Sequence, residues 1–135
     1  MSQDAIAIAL TTRLNTYSPP LFIQWPNEAA SPDADVAFLS VAFLRGQPDN
    51  PAVGPGLTRH VGVFQINVHH PENTGEGPAR RIADAIATLF AFGSSMTYGG
   101  VTVHVTRTAA VAQGFHDGAW YVVPVSVFYR ADVYS

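Results

Sequence analysis

Two segments of the chain alternate between apolar and polar residues, which is the pattern of a strand with one buried face. In Arg59–His69 the apolar side of this pattern is Phe64, Ile66 and Val68. In Val101–Arg107 it consists of the three valines at positions 101, 103 and 105. Because successive side chains of a strand point to opposite faces, each segment is expected to turn its apolar side to a core and its polar side away from it.

Two further segments have the spacing of amphipathic helices. The first helix is expected from Ser2, a residue suited to an N-cap, to Tyr17, with Pro19-Pro20 as the stop. Its apolar stripe is Ile6, Leu10, Leu14 and Tyr17. The second is expected from Pro78, which suits the first helical position, to about Phe92, with Gly93 as the stop. Its buried stripe is expected to be Ile82, Ile86, Leu89 and Phe90, with Ala79 and Ala83 allowing close approach.

The remaining segments complete the expected fold. Further strands are expected at Leu21–Trp25, Val36–Leu44, Met96–Tyr98 and Ala119–Arg130, and loops at Glu28–Asp35 and Gly114–Gly118. Val36–Leu44 is apolar on both sides, which predicts a central strand covered on each face. Pro124 predicts that the last strand is at an edge or bulged there, because proline cannot donate to the ladder. The order of elements predicts an α+β fold, a mostly antiparallel sheet with two helices packed on one face, in a single domain over residues 1–135.

The composition favours a protein that works by contact with partners. Charged residues make up 13% of the 135 residues, whereas apolar residues make up 47%. An ordinary soluble domain has about 25% charged residues. Much of the surface must therefore be neutral or apolar, and such a surface aggregates unless partners cover it. A lightly charged monomer remains the alternative interpretation.

The charges argue against a nucleic-acid-binding surface. The net charge is −3, and all seven cations are arginines that are scattered along the chain apart from Arg80-Arg81. A nucleic-acid binder needs a clustered basic face. The start of the chain carries Asp4 where a signal peptide has basic residues, and no apolar stretch is long enough to span a bilayer. We therefore expect no secretion and no membrane partner.

The residues that carry chemistry are few and badly spaced for it. The chain has no cysteine, and it has no G-x-S-x-G nucleophile motif. Its histidines are His60, His69, His70, His104 and His116, and no spacing among them supplies three convergent metal ligands. We expect no catalytic residues, no metal and no cofactor. The alternative is a small ligand-binding or hydrolytic domain that uses His116, Asp117 and Trp120.

One long connection is the strongest candidate for an interface. Between two expected strands, Arg45–Thr58 holds three prolines and three glycines and has no periodicity, which is unusual for a plain connection in a small domain. We expect this loop to order against a neighbouring molecule. The interface residues that we assign to it are Arg45, Pro48, Pro51, Val53, Pro55, Leu57 and Arg59. If the loop is only decoration, Glu28–Asp35 or Gly114–Gly118 are the next candidates.

Five segments of the chain together carry a family resemblance: Trp25-Pro26-Asn27, Gly56–Val68, Pro71–Gly93, Gly100–Arg107 and Asp117–Val133. They resemble the phage tail terminator-like proteins, which are small proteins of long-tailed phages and related particles. The strongest two are Pro71–Gly93 and Asp117–Val133, a turn-plus-helix and a final strand. Both are structural signatures, and neither brings a catalytic residue with it.

The resemblance implies a role in assembly. It implies a ring, usually of six subunits, that sits on the last ring of the tail tube, stops tube polymerisation and offers a surface for head attachment. The implied partners are other copies of the chain, the tail tube protein and a head-completion or stopper protein. The implied location is the neck-proximal end of the virion tail, after assembly in the host cytoplasm, with DNA passing through the channel without specific binding. A head–tail joining or stopper component of the neck is the alternative.

Overall fold

The structure is a computed structural model that describes residues 2–17, 22–24, 37–47, 56–71, 77–118 and 120–134. These described residues form two helices, α1 and α2, and eight strands, β1 to β8. In chain order they are α1 (Ser2–Leu14), β1 (Phe22–Gln24), β2 (Phe38–Arg45), β3 (Leu57–Pro71), α2 (Gly77–Leu89), β4 (Ser95–Tyr98), β5 (Val101–Val105), β6 (Ala110–Val111), β7 (Phe115–Asp117) and β8 (Trp120–Tyr134). Among the described residues, no helix is long and apolar enough to cross a membrane.

The strands form one sheet in the order β1-β2-β3-β8-β5-β4. All pairings are antiparallel except that of β1 with β2. The two central strands, β3 and β8, are paired in register from Leu57↔Tyr134 to Pro71↔Trp120. The short strands β6 and β7 also pair with β8. The predicted α+β fold with a mostly antiparallel sheet is therefore confirmed.

Both helices pack on the same face of the sheet, as the apolar stripes predicted. Ile6, Leu10 and Leu14 of α1 are buried, and the half-buried Tyr17 packs against the same core beyond the end of the helix. From α2 the core receives Ala79, Ala83, Ile86 and the following Phe90, with Ile82 and Leu89 half-buried beside them. The sheet contributes Leu39, Val41, Phe64, Ile66, Val68, Val103, Val105, Val123, Val125 and Val127. Both helices end earlier than predicted, α1 at Leu14 and α2 at Leu89.

The sheet is much longer than the helices that cover it. Each helix has 13 residues and each central strand has 15. At 1.5 Å per helical residue and about 3.4 Å per strand residue, the lengths are about 20 Å and about 50 Å. The helices therefore cover part of one face, and no described helix packs on the other.

The position of Pro124 corrects one prediction. Strand β8 is central, not at an edge, and its register with β3 is continuous through Asn67↔Pro124, without a bulge. The Pro124 carbonyl accepts a hydrogen bond from the N–H of Ala112, so this residue's backbone groups point towards the β6 side. There β6 ends at Val111, and β7 does not begin until Phe115. The missing proline donor thus falls in a gap between two short neighbouring strands, where no ladder partner requires it.

Two other predictions need adjustment. The expected loop at Gly114–Gly118 contains β7, and the last strand runs on to Tyr134. Strand β2 is covered on both faces only near its start, because Leu44 is 54% exposed. Strands β4 and β5 are joined by a turn at Gly99-Gly100, with φ angles of 59° and 81° between the paired residues Tyr98 and Val101. The expected stop at Pro19-Pro20 and the expected loop at Glu28–Asp35 lie outside the described residues.

Candidate functional site

The face of the sheet opposite the helices, which we call the outer face, is a broad surface on which no described helix packs. It follows from the register of β2, β3 and β8, which places every second residue of each strand on it. Its residues are Phe38, Ser40, Ala42 and Leu44 of β2, Arg59, Val61, Val63, Gln65, Asn67 and His69 of β3, and Trp120, Val122, Pro124, Ser126, Phe128, Arg130 and Asp132 of β8. They are arranged in bands across the strands.

An aromatic cluster occupies one end of the outer face. The rings of Phe38 and His69, a register pair, are stacked with their centroids 4.3 Å apart. Trp120 meets Phe38 edge to face at 4.9 Å. Burial lowers the pKa of His69, and the charge of Asp117 opposes this in part. Burial in this apolar cluster therefore favours the neutral form of His69.

A polar ladder lies next to this cluster. The Oγ atom of Ser40 is 2.9 Å from Nε2 of His69, Asn67 donates to Ser40 Oγ at 3.5 Å, and Gln65 donates to Asn67 at 3.1 Å. A serine beside a histidine is the start of a nucleophilic site, but the histidine then needs an orienting group on its other nitrogen. Nδ1 of His69 is buried and has no hydrogen-bond partner among the described residues. The ladder thus links β2 to β3 through side-chain hydrogen bonds, and its polar groups are suited to hydrogen bonds with a partner.

Ser40 was not predicted from the sequence to be part of a site. The feature that could have indicated it is a lone hydroxyl group in an otherwise apolar strand, at a position that alternation assigns to the face away from the helices. Without the β2–β3 register, its pairing with a histidine 29 positions away could not be inferred.

An apolar band and a basic end complete the outer face. Leu44, Val63 and Phe128 are paired across three strands, and Val61, which is 37% exposed, is the neighbour of Arg130. The guanidinium carbon of Arg107 lies 5.2 Å from the centroid of the Phe128 ring. Arginines that are scattered in the sequence are therefore gathered here by the fold, because β3, β8 and the end of β5 meet at this end of the sheet.

One ion pair is bidentate. Arg59 donates from Nε to one oxygen of Asp132 at 2.8 Å and from Nη2 to the other at 3.2 Å. The hydrogen bond from Arg59 holds the pKa of the Asp132 carboxyl below its usual range, and the charges of Arg130 and His104 add to this effect while burial opposes it. The Nε–H group of Arg130 is buried and donates to no acceptor within the described part of the chain.

The structure describes only part of the predicted loop interface. Pro48, Pro51, Val53 and Pro55 lie outside the described residues, and Leu57 is described only through its backbone as the first residue of β3. Arg45 is the last residue of β2, and its guanidinium carbon lies 5.4 Å from the centroid of the Phe43 ring, on the helix side of the sheet. Arg59 is on the outer face. The two arginines at the base of the loop therefore lie on opposite faces of the sheet.

The residues of the predicted hydrolytic alternative do not converge. Asp117 pairs with Trp120, and both lie on the outer face. His116 pairs with Tyr121 on the other face, where the two rings meet at 5.2 Å. In the same way, His69 and His70 are adjacent in β3 and point to opposite faces. Among the described residues, no group of three or more metal-ligating side chains is arranged around a common point.

A shallow groove of about 370 Å³ lies between α1 and the edge strand β4. Its lining includes Thr12, Thr16 and Arg13. Arg13 already donates to the carbonyl oxygens of Leu89 and Ser95, at 3.3 and 3.1 Å. The groove thus joins the helix to the sheet edge, and its arginine is held there by two backbone carbonyl oxygens.

Comparison with known proteins decides between these interpretations. The sequence model of a family described as phage tail terminator protein matches residues 5–129. The chain belongs to this family. Phage tail terminators are structural tail proteins, so the chain is assigned to the virion as a structural tail protein. No curated protein matches the chain significantly.

Two solved structures share the fold of this terminator. One, which carries no functional description, is 29% identical with a TM-score of 0.79, over 97% of this chain and 96% of the other. The second belongs to a virion of a native gene transfer agent particle. It is 15% identical with a TM-score of 0.61, over 99% of this chain and 98% of the other. At that identity the second likeness concerns the fold alone.

Proposed function

We propose that this terminator forms a ring, of six subunits as the family resemblance implies, on the last ring of the tail tube. The ring ends tube polymerisation and provides the surface to which the head attaches. The observation that carries the proposal is the family match over residues 5–129. The outer face of the sheet, which no described helix covers, supports it, because a subunit that works by contact needs broad surfaces of this kind.

The mechanism is competitive capping, and it requires no unusual chemistry. A tail tube is an open polymer, so each added layer offers a template for the next. A closed head-to-tail ring satisfies its own lateral contacts and leaves no propagating edge. Once such a ring covers the end of the tube, the template for another layer is removed. The same ring then presents its second surface to the stopper or head-completion protein.

The charges of the chain are compatible with DNA passage through the channel. The net charge is −3. Phosphate contacts by unpaired cations would hold the genome in place, since each neutralised phosphate adds to affinity. Arg59 is neutralised by Asp132, and Arg107 lies against the ring of Phe128. DNA is therefore proposed to slide through the ring without specific binding.

The loop between β2 and β3 is proposed as one contact to a neighbouring subunit or to the tube. Its assigned residues are Arg45, Pro48, Pro51, Val53, Pro55, Leu57 and Arg59. The loop leaves the sheet where Gly46 donates to the Val61 carbonyl at 2.8 Å. Strand β3 begins five residues before Gly62, the partner of Arg45, so it extends beyond the end of β2. A segment attached to this projecting end is well placed to contact another molecule.

Shortening the loop tests this contact without disturbing the sheet. Gly46 is hydrogen-bonded to Val61, so the next residue, Gln47, lies near His60. His60 and Gly56 are four residues apart, which is about 13 Å at about 3.3 Å per residue. Four residues can span this distance, so residues 48–55 can be replaced by Ser-Gly-Ser-Gly. We expect this variant to melt normally and fail to cap tails. A control with eight Gly and Ser residues keeps the loop length, and normal particles from both variants would mean that the loop is decoration.

The proposed function is tested by removing the gene for this chain from a particle-producing strain and measuring tube lengths by electron microscopy. A terminator predicts overlong tubes without heads, and normal lengths after complementation. Headless tubes of normal length would instead support the stopper alternative. Particles of normal length with heads attached would contradict both.

A further inference from the structure

The hairpin formed by β7 and β8 presents an apolar residue and a carboxylate side by side. Phe115 pairs with Val122 and Asp117 pairs with Trp120, so both lie on the outer face. Phe115 is 49% exposed, and Asp117 is exposed as well. The hairpin closes over two residues that include Gly118, whose φ of 61° suits a tight turn.

The opposite end of the same face presents the complementary set. Phe128 and Arg130 are two residues apart on β8, and Arg107 lies over the Phe128 ring. The neighbouring Leu44 and Val61 are 54% and 37% exposed. An exposed apolar patch beside arginines is the usual composition of a contact site between proteins. Three arginines, at positions 59, 107 and 130, stand here against the single carboxylate of Asp132.

These two sets cannot meet within one molecule. Trp120, the partner of Asp117, is ten residues from Arg130 along β8, which is about 33 Å in a strand. Each set has its apolar and its charged residue two positions apart on one strand face, and the charges are opposite. A head-to-tail contact joins two different surfaces of identical subunits, so complementary ends of one face are what such a contact requires.

We propose that the occupant of the Leu44–Val61–Phe128 patch is the β7–β8 hairpin of a second copy of this chain. Phe115 of one subunit lies on the apolar patch of the next, and its Asp117 carboxylate accepts hydrogen bonds from Arg107 or Arg130. The inference rests on the proposed function in one respect, since it supplies the lateral contact of the ring. It also explains why a large aromatic residue is exposed on a short hairpin.

Disulfide trapping tests the contact directly, because the chain contains no cysteine. A protein that carries both Phe115→Cys and Val61→Cys is assembled on tail tubes, oxidised, and run on a denaturing gel. We expect a ladder of covalent oligomers, since a disulfide forms only where the two Cα atoms come within about 7 Å. The matched control carries Phe115→Cys with Ile8→Cys, at a residue of α1 that is 39% exposed and lies on the helix side of the sheet, and should give no ladder.

The outcomes separate this inference from the proposed function. Capped tails without a ladder would overturn the contact and leave the terminator function intact. A ladder on uncapped tubes would support the contact and contradict the function. A ladder of equal yield in the control would mean random collision, and the contact would be wrong.

Charge exchange provides a second test. Asp117→Arg and Arg107→Asp should each weaken subunit association by at least about tenfold, since like charges then face each other. The variant with both substitutions should recover most of the loss. If Arg107→Asp leaves the trapped ladder unchanged but abolishes binding of duplex DNA, the arginines serve phosphate and the proposal fails.

Discussion

The ring of Tyr129 lies directly across the backbone of Gly62, its register partner on the neighbouring central strand. A Cβ atom at position 62 would stand 2.7 Å from the Tyr129 hydroxyl oxygen and 2.8 Å from the Leu44 carbonyl oxygen. The glycine thus creates the space in which Tyr129 is buried. Burial raises the pKa of Tyr129, and the nearby charge of Arg45 opposes that shift in part.

Gly62→Ala is therefore predicted to destabilise the protein. The added methyl group must displace either a buried ring or a strand carbonyl, which costs about 1–3 kcal/mol in overpacked cores. The matched control is Gly77→Ala, where the nearest atom is the mobile end of Arg81 at 3.5 Å. Urea denaturation of both variants and the parent measures the difference. Equal midpoints for the two variants would show that the sheet relaxes around the methyl group.

Ile86→Asp tests the assignment of the face of α2 that packs on the sheet. Ile86 is fully buried, so an unpaired carboxylate there should cost several kcal/mol out of a total stability of about 5–15 kcal/mol. The variant is expected to be insoluble or to lack a cooperative melt. Ala85→Asp, at an exposed position of the same helix, should melt within a few degrees of the parent. The assignment is wrong if the two variants behave alike.

Sequence periodicity predicted the helix side of the fold well, because burial on one face leaves a regular trace. The stripe that ends at Phe90 and the alternation at Phe64, Ile66 and Val68 are both such traces. The short strand at Phe115–Asp117 left none, since its stability comes from pairing with β8. Pro124 was placed at an edge because the sequence cannot show that the neighbouring strand is interrupted beside it.

The candidate contact surface was harder to predict for a related reason. Arg107 and Arg130 are 23 positions apart in the sequence and come together only through the register of β5 with β8. The loop residues around Pro51 were chosen from composition, and their role stays a prediction. Local patterns can show that a residue faces away from the core, but only the pairing of strands shows which other residues face the same way.

The lowered pKa of His69 predicts that the stability of the protein depends on pH. Burial lowers its pKa from the ordinary value of 6.5, so the unfolded chain binds the proton more readily than the folded one. Stability should therefore fall as the pH drops below about 6.5 and stay level above it, as far as this group is concerned. His69→Gln should flatten the slope. An unchanged slope in His69→Gln would assign the effect to another group.

The lowered pKa of Asp132 predicts a second loss of stability, at more acidic pH. Because Arg59 lowers the pKa of this carboxyl from 3.8, its contribution is present above that pH and is lost as the pH falls through the folded-state value. The pair is partly exposed, so Asp132→Asn should lower stability at pH 7 by at most about 1 kcal/mol. The gap between variant and parent should close in strong acid. A gap that persists at pH 2 would mean that the loss comes from packing and not from charge.

The most direct test of the account is a reconstruction, by electron cryo-microscopy, of the head-proximal end of the tail in particles that contain this chain. We expect a single closed ring of six copies between the last ring of the tube and the head-side connector, with the β7–β8 hairpin of each copy against the outer face of the next. A particle in which this chain is absent from that position, or is present there as an isolated dimer, would contradict it.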